Sequence, residues 1–508
     1  MIKSFMEKSD SRKKTITAIL AALAYAALTL VWVFHHEIWA DEVNVWLILK
    51  NLSFTQAVMQ ITVEGHPFFF YLICLPFVKM GFSMFSVQMI CHLACSTAVF
   101  LLFRFSPFPF ILKVIVALGA GLFYFFPVMA RSYSVLPLLL FSIASLYPKI
   151  LEKEVPIRYL ALYVLLIAFT ANTHVVMYAF ALCMSVNFIY ERIRLNSVIK
   201  NMENSKIVHF FKNFKNLRKE EKIIIPCLIA GLLPPVFTVC LAMKANASFS
   251  HSLPGFSNAI ATLRKIIVNF YDFLSPDLAL KTNCPHILSI FVSLAIIVVL
   301  TMIIFFMKKK SSKLMYASIF SILFQIAIYV VSYSAYIFPN RILIIPLILL
   351  FFSWIASYEN REENSSGKHL IVSLAILFLI SIPGGLYAIG RDYRDNFSSA
   401  REMADYIMQN IPDKPNVLVF TTESAVSLGI AYHLGKRPLY DYRGNPVICY
   451  SPTPWFSPDY IKSMLKPGDE AYLVMFRAEG HYLGMFDVLY RTKPSILSNE
   501  IFYLVRIV

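Results

Sequence analysis

A chain of 508 residues that is 58% hydrophobic, only 15% charged and has a mean hydropathy of +0.64 cannot fold as a water-soluble globule of ordinary composition. Its formal charge of +16 would suggest nucleic acid if it lay on a soluble domain, but residues 391–508 hold 13 Lys+Arg and 13 Asp+Glu. The excess therefore lies between apolar runs, where Lys and Arg collect on the cytoplasmic side of membrane proteins, and no nucleic acid is needed to explain it.

The first apolar run, Thr15 to Phe34, is long enough to cross a bilayer at ~1.5 Å per residue. At about 20 residues it exceeds the roughly 7–15 of a signal-peptide core, so it reads as an uncleaved first helix. The stretch 35–71 follows as a loop at a membrane face. It opens on Asp41 and Glu42, passes through two short amphipathic helices and closes on Glu64, Gly65, His66 and Pro67. Pro67–Met80 is short for a span and is expected to lie at the interface or half-inserted.

Ten further runs complete eleven expected crossings: Met84–Phe103, Leu112–Pro127, Tyr133–Tyr147, Tyr159–Thr173, Val175–Tyr190, Ile223–Met243, Ile287–Met307, Leu314–Ser332, Ile342–Ser357 and His369–Ile389. Alternation puts the basic clusters on the side of the N-terminus: Arg104 with Lys113, the loop Glu191–Lys222, and Lys308–Lys310 with Lys313. From Arg391 the composition changes. A helix over Ser399–Asn410, a strand over Asn416–Phe420, a helix over Glu423–Leu434 and a strand over Glu470–Phe476 predict a small α/β domain, on the side of Asp41 by the same parity. The expected organisation is a membrane module over 1–390 and a soluble extracytoplasmic domain over 391–508. Six cysteines sit in apolar runs as small hydrophobes; Cys284 and Cys449 fall in stretches expected on the outer side and could pair, but two residues make no disulfide framework and no zinc pattern.

The outer side collects Asp41, Glu42, Glu64 and His66 with Arg131, His174, Tyr333, Tyr336 and Arg341. Few charges fall in mid-span, which points to a site at one membrane surface. A carboxylate held over the bilayer can act as a general base on an attacking hydroxyl or amine. Arginines at helix ends can hold a lipid-bound phosphate whose charge grows as its bond to the transferred group breaks. Each residue also has a plainer reading: Asp41 and Glu42 as a favourable helix start, Arg131 and Arg341 as snorkelling anchors, His174 as a core histidine, Tyr333 as an interface aromatic. A divalent metal on Asp41, Glu42 and His66 is a further option, on a weak spacing signal.

A first helix, then ADEVNVW, then EGHPFFFYLICLPF, with ARSYSVLPLLLF further on, resembles the GT-C fold glycosyltransferases. The resemblance is to the branch of protein O-mannosyltransferases and bacterial lipid A aminoarabinose transferases (glycosyltransferase family 39-like). It covers residues 10–190 best, is loose to residue 390, and is architectural in the tail. It implies transfer of a sugar, with inversion, from a polyprenyl-phosphate donor to a glycan, lipid or protein acceptor, in a bacterial inner membrane with the site on the extracytoplasmic face. By position Asp41 would be the base, Glu42 its companion in orienting the acceptor or a metal, and Arg131 and Arg341 donor-phosphate contacts. Glu64, His66, His174 and Tyr333 would position donor or acceptor. Where many relatives have a second Pro the chain has Phe68, and Glu64 stands where Asp is frequent.

Two other classes compete. A flippase or transporter of lipid-linked sugars would place ionisable groups near the midplane, and a non-catalytic envelope-assembly subunit would leave the Asp41–Glu42 pair without a role. The topology is testable first. A cysteine placed near Asn44 or in the tail should be labelled from outside by an impermeant thiol reagent, and one near Asn213 should not; outside labelling of the latter overturns the parity.

Overall fold

The computed structural model describes residues 2–196, 217–245, 286–332, 342–359, 365–450, 458–476, 486–495 and 500–507. Tyr333, Tyr336, Arg341 and Cys284 lie outside these residues, as does most of the loop Glu191–Lys222. The first helix, α1 (Ile2–His35), leads into three loop helices, α2 (Ala40–Asn51), α3 (Phe54–Val63) and α4 (Phe69–Lys79). Eleven residues make α4 about 16 Å long, well short of a ~30 Å hydrocarbon core.

The remaining expected crossings are all helical: α5 (Phe85–Phe105), α6 (Phe110–Leu118) continued through a π-turn into α7 (Phe126–Val128), α8 (Leu136–Ile150), α9 (Ile157–Ala171), α10 (Tyr178–Asn196), α11 (Lys219–Ala245), α12 (His286–Lys310), α13 (Ser312–Ser332), α14 (Ile344–Glu359) and α15 (Ser365–Arg394). Among the described residues seven helices are long and apolar enough to cross a membrane. The pair Phe110–Leu118 and Gly121–Val128, bent by 58°, makes an eighth if the two count as one span. Of the other three expected crossings, α9 and α14 have 15 and 16 residues, and the side chains of α12 are described from residue 294. The protein is a multi-pass helical membrane protein with a small sheet.

Hydrogen bonds sort the helix ends into two groups. At one end Arg104 donates to Ser11 (3.0 Å), and the Tyr358 hydroxyl donates to the Phe105 carbonyl (2.9 Å). Glu359 there accepts from Tyr147 and Ser311, both at 2.7 Å. Arg192 is fully buried at the same end, paired with Glu221 at 2.6 Å and donating to the carbonyls of Ile150, Glu152 and Lys153. At the opposite end the Phe69 amide donates to the Asn172 carbonyl (3.0 Å), and the last turn of α15 meets the end of α1, where His35 stacks on Tyr393 at 4.0 Å between ring centres. Arg104, Lys149 and Lys313 thus share one end of the bundle, and the loop helices share the other.

The tail contains α16 (Ala400–Asn410), β1 (Val417–Thr421), α17 (Ser424–Leu434), α18 (Pro458–Met464), β2 (Glu470–Phe476), β3 (Val488–Arg491) and β4 (Phe502–Arg506). The sheet order is β1-β2-β4-β3, with β1 and β2 parallel (Phe420 opposite Leu473) and the other pairs antiparallel (Leu473 opposite Val505). Its inner face shares one apolar core with the loop helices, joining Val43, Leu47 and Ile61 to Met403, Leu428, Val474 and Phe502. Trp46 packs edge-on against Tyr432 at 5.4 Å.

Close helix approaches rest on small residues, as expected where lipid supplies no hydrophobic drive between helices. A Cβ added at Gly385 of α15 would stand 2.9 Å from the Cα of Ala120 at the bend after α6. At Gly390 it would meet nothing within 4 Å. Gly385→Ala should therefore lower the unfolding temperature in detergent, at a cost of about 1–3 kcal/mol for overpacking, whereas Gly390→Ala should be neutral or mildly stabilising; equal behaviour of the two would remove the close approach.

Candidate functional site

Asp41 and Glu42 occupy the first turn of α2, where negative charge is favoured by the helix dipole. Successive helical residues point about 100° apart, so the pair must divide. Glu42 turns inward and its side chain is 0% exposed. One oxygen accepts from the Trp39 amide (3.1 Å) and faces His36 Nε2 (3.2 Å); the other accepts from the Ala130 amide (2.6 Å). Asp41 turns outward, its side chain 42% exposed, and pairs with Arg131 Nη2 at 3.3 Å. Arg131 Nη1 also donates to the Asp41 carbonyl at 2.7 Å. The guanidinium is therefore fixed to α2 through both backbone and side chain, and only 12% of its side chain is exposed.

Arg131 lies in extended backbone between α7 and a 3₁₀ turn over Ser132–Val135. That break in an otherwise helical path delivers the Ala130 amide to Glu42 and the Arg131 side chain to Asp41. The Asp41 pair and the Glu42 capping bond thus clamp two loops to one helix start.

Glu64 closes α3 and sits near this pair. Its carboxylate accepts from Asn44 (2.9 Å) and Gln60 (2.8 Å). Burial raises its pKa to about 7; the two amide hydrogen bonds and the charge of Arg131 oppose the shift, and the charge of Asp41 adds to it. Near neutral pH Glu64 is thus part-protonated beside an ion pair. Asn44 stands three residues after Asp41 on the same face of α2, which is how one helix reaches both carboxylates. The tail closes the space: the Tyr450 amide donates to Asn44 (3.1 Å), and its carbonyl accepts from Gln60 (2.8 Å).

His66 lies beside Tyr71, with ring centres 6.5 Å apart. His174 is buried and accepts from the Val176 amide at 3.3 Å, capping a 3₁₀ turn at the start of α10, 6.4 Å from the Tyr133 ring. Asp41, Arg131 and Glu64 are brought together. Glu42 is not in that space: both its oxygens are taken by the protein, so the expectation that it orients an acceptor or a metal is corrected to a buried anchor. Among the described residues no group of three or more His, Cys, Asp or Glu could hold a metal ion. Asp41, Glu42 and His66 do not fit one, because Glu42 is enclosed and Asp41 faces a guanidinium.

Sequence reasoning passes over His36, the centre of the anchor. Its two ring nitrogens face Glu42 (3.2 Å) and Asp392 (3.0 Å), and the same Asp392 oxygen accepts from the Tyr124 hydroxyl at 2.7 Å. Burial lowers the imidazole pKa, but the adjacent carboxylates of Asp392 and Glu42 outweigh it and raise it to about 10. Two adjacent histidines after an apolar run carry no spacing signal that singles out His36, and its second partner is 356 residues away. Asn44, Gln60 and Tyr450 are missed for the same reason.

No protein-family model matches the chain, and no curated protein matches it. Among solved structures it is similar to ArnT from Cupriavidus metallidurans bound to undecaprenyl phosphate, at 12% identity and a TM-score of 0.43, over 96% of this chain and 98% of that one. To ArnT of the same organism in the apo state the TM-score is 0.32 at 12% identity, over 96% and 97% of the two chains.

The His36 network makes a pH-dependent contribution to stability. The folded chain holds this proton more tightly than the unfolded chain, whose imidazole keeps its ordinary value of 6.5. The contribution is fully present below that value and fades as pH rises through about 10. His36→Gln should lower stability by about 3–5 kcal/mol near pH 6, the cost of breaking a buried pair, and the gap to wild type should narrow as pH approaches about 10. Thermal unfolding of both proteins in detergent across that range checks this; a pH-independent gap would mean that the imidazole is not charged.

Proposed function

We propose that the chain is an inverting glycosyltransferase that moves a sugar from a polyprenyl-phosphate donor to an acceptor hydroxyl or amine at the extracytoplasmic face of a membrane. The observation that carries this reading is the division of labour in the loop. Of the carboxylates Asp41, Glu42 and Glu64, the last two are held by protein donors, and Asp41 is half-exposed with an arginine beside it.

In this reading Asp41 takes the proton of the acceptor group as its oxygen or nitrogen attacks the anomeric carbon. The bond from that carbon to the phosphate oxygen breaks on the opposite side, and the phosphate leaves with the electron pair. Arg131, held at Asp41, compensates the charge that grows on the phosphate, and no general acid is required. Glu42 and His36 are positioning residues that fix the helix start carrying Asp41. Arg341 is proposed as a second phosphate contact, with His66, His174 and Tyr333 positioning donor or acceptor, from the sequence resemblance alone.

The transporter reading draws no support from the described residues. Apart from His92, their buried acids and bases within the helical bundle collect at its two ends rather than midway.

The test is transfer from a panel of radiolabelled polyprenyl-phosphate sugars by purified wild type and Asp41→Asn. The substitution should cost about 10²–10⁴-fold in turnover, the range of general-base catalysis, with little change in the unfolding temperature because Asp41 is half-exposed. Unchanged turnover in Asp41→Asn would sink the base assignment.

A further inference from the structure

The tail and the loop helices enclose a cavity of about 380 Å³ that the proposed reaction does not use. The end of α2 supplies Trp46, Lys50 and Asn51, and the end of α17 with the turn after it supplies Tyr432 and Lys436; Ile448 completes the set. Its volume is that of a small-molecule cleft. Lys50 follows Asp41 by about two and a half helical turns, so the cavity lies on the face of α2 turned away from Asp41.

No Asp or Glu lines this cavity. Of its three cations Arg437 is already committed. It is buried, donates to the carbonyls of Ile411 (2.7 Å) and Pro412 (3.0 Å), and lies 3.9 Å from Asp413. Lys50 and Lys436 are both exposed, and among the described residues neither pairs with a carboxylate. The Lys50 ammonium stands over the Trp46 ring, 4.3 Å from its centre, and the indole N–H donates to the Phe82 carbonyl at 3.0 Å. An aromatic face fixed in this way holds a cation in place without neutralising it.

The other polar groups are neutral. The Asn51 amide donates to the Ile448 carbonyl (3.3 Å), which ties α2 to the tail across the cavity and leaves the amide oxygen as an acceptor. The Tyr432 ring is held edge-on to Trp46, and its hydroxyl makes no hydrogen bond among the described residues. Pro438 and Pro446 add an apolar wall. A cleft that joins two cations, neutral groups able to donate and accept, and an apolar wall matches a sugar ring bearing an anion. The lysines take the charge, Tyr432 and Asn51 the hydroxyls, and the wall the C–H face. An uncharged sugar leaves the lysines uncompensated, and a bare phosphate leaves the neutral groups and the wall unused.

We propose that this cavity binds an anionic saccharide, a sugar ring carrying a carboxylate or a phosphate, with its charge between Lys50 and Lys436. The site is independent of the transferase reading.

Calorimetric titration of the full chain in a polyoxyethylene detergent, which offers no sugar headgroup, tests it with glucuronate, glucose 6-phosphate, glucose and inorganic phosphate as probes. At least one of the two anionic sugars should bind wild type, and the tighter one names the anion. Glucose should bind more weakly by roughly three- to thirtyfold, as two exposed ion pairs can supply, and inorganic phosphate at equal concentration should not compete. The double variant Lys50→Gln with Lys436→Gln should bring the anionic sugar down to the level of glucose without moving the unfolding temperature, because both side chains are exposed. Ile448→Trp should fill the cavity and abolish binding of every sugar. Failure of both anionic sugars to bind, glucose binding as tightly as they do, competition by phosphate, wild-type affinity in the double variant, or unchanged binding in Ile448→Trp would each overturn the proposal.

Discussion

A carboxylate buried at the start of a helix commits every group that touches it, because its charge is tolerable only while each partner stays in place. Glu42 holds that position. It fixes the first turn of α2 through Trp39, the break before Arg131 through Ala130, and the end of α1 through His36. Through His36 and Asp392 the commitment extends to α15 and to Tyr124 beside the bend. The exposed Asp41 is one residue away and inherits its position from this set.

The second layer is softer and includes a titrating group. Glu64 is held by the neutral amides of Asn44 and Gln60, and burial carries its pKa towards neutrality. Asn44 and Gln60 each also bond the backbone of Tyr450. The tail is therefore attached to the loop through amides whose other contact is a carboxyl near its titration point. The Asp41–Arg131 ion pair on α2 thus sits near a carboxyl at the end of α3, Glu64, that burial pushes towards neutrality.

The bundle is legible in the sequence because apolar runs of spanning length leave few alternatives, and alternating basic clusters fix which ends belong together. The contacts of Arg104 with Ser11 and of Tyr358 with Phe105 place those ends as the alternation requires. In the tail the two helices and two strands read from pattern are present. Two further strands and the short helix Pro458–Met464 escape, being short and lacking clean alternation. Asp41 beside Arg131 is legible as a candidate from charge at apolar ends, but the fate of Glu42 is not. Adjacent acids look equivalent in a sequence, and only helical geometry, together with a histidine and an amide arriving from other segments, separates the anchor from the exposed group.

The Glu42 anchor also dictates when the site can exist during biosynthesis. Ribosomes make the chain from the N-terminus, so the loop with Asp41 is translated well before Asp392, which follows 356 residues after His36, and before Tyr450, which comes later still. Until α15 is inserted, the His36–Glu42 pair lacks the second carboxylate that completes it. Until the tail emerges, the amides of Asn44 and Gln60 lack the backbone that ties them down. A nascent chain therefore carries Asp41 in an unassembled loop until those segments have been made, and the order of translation itself keeps an incomplete molecule from presenting the assembled cluster.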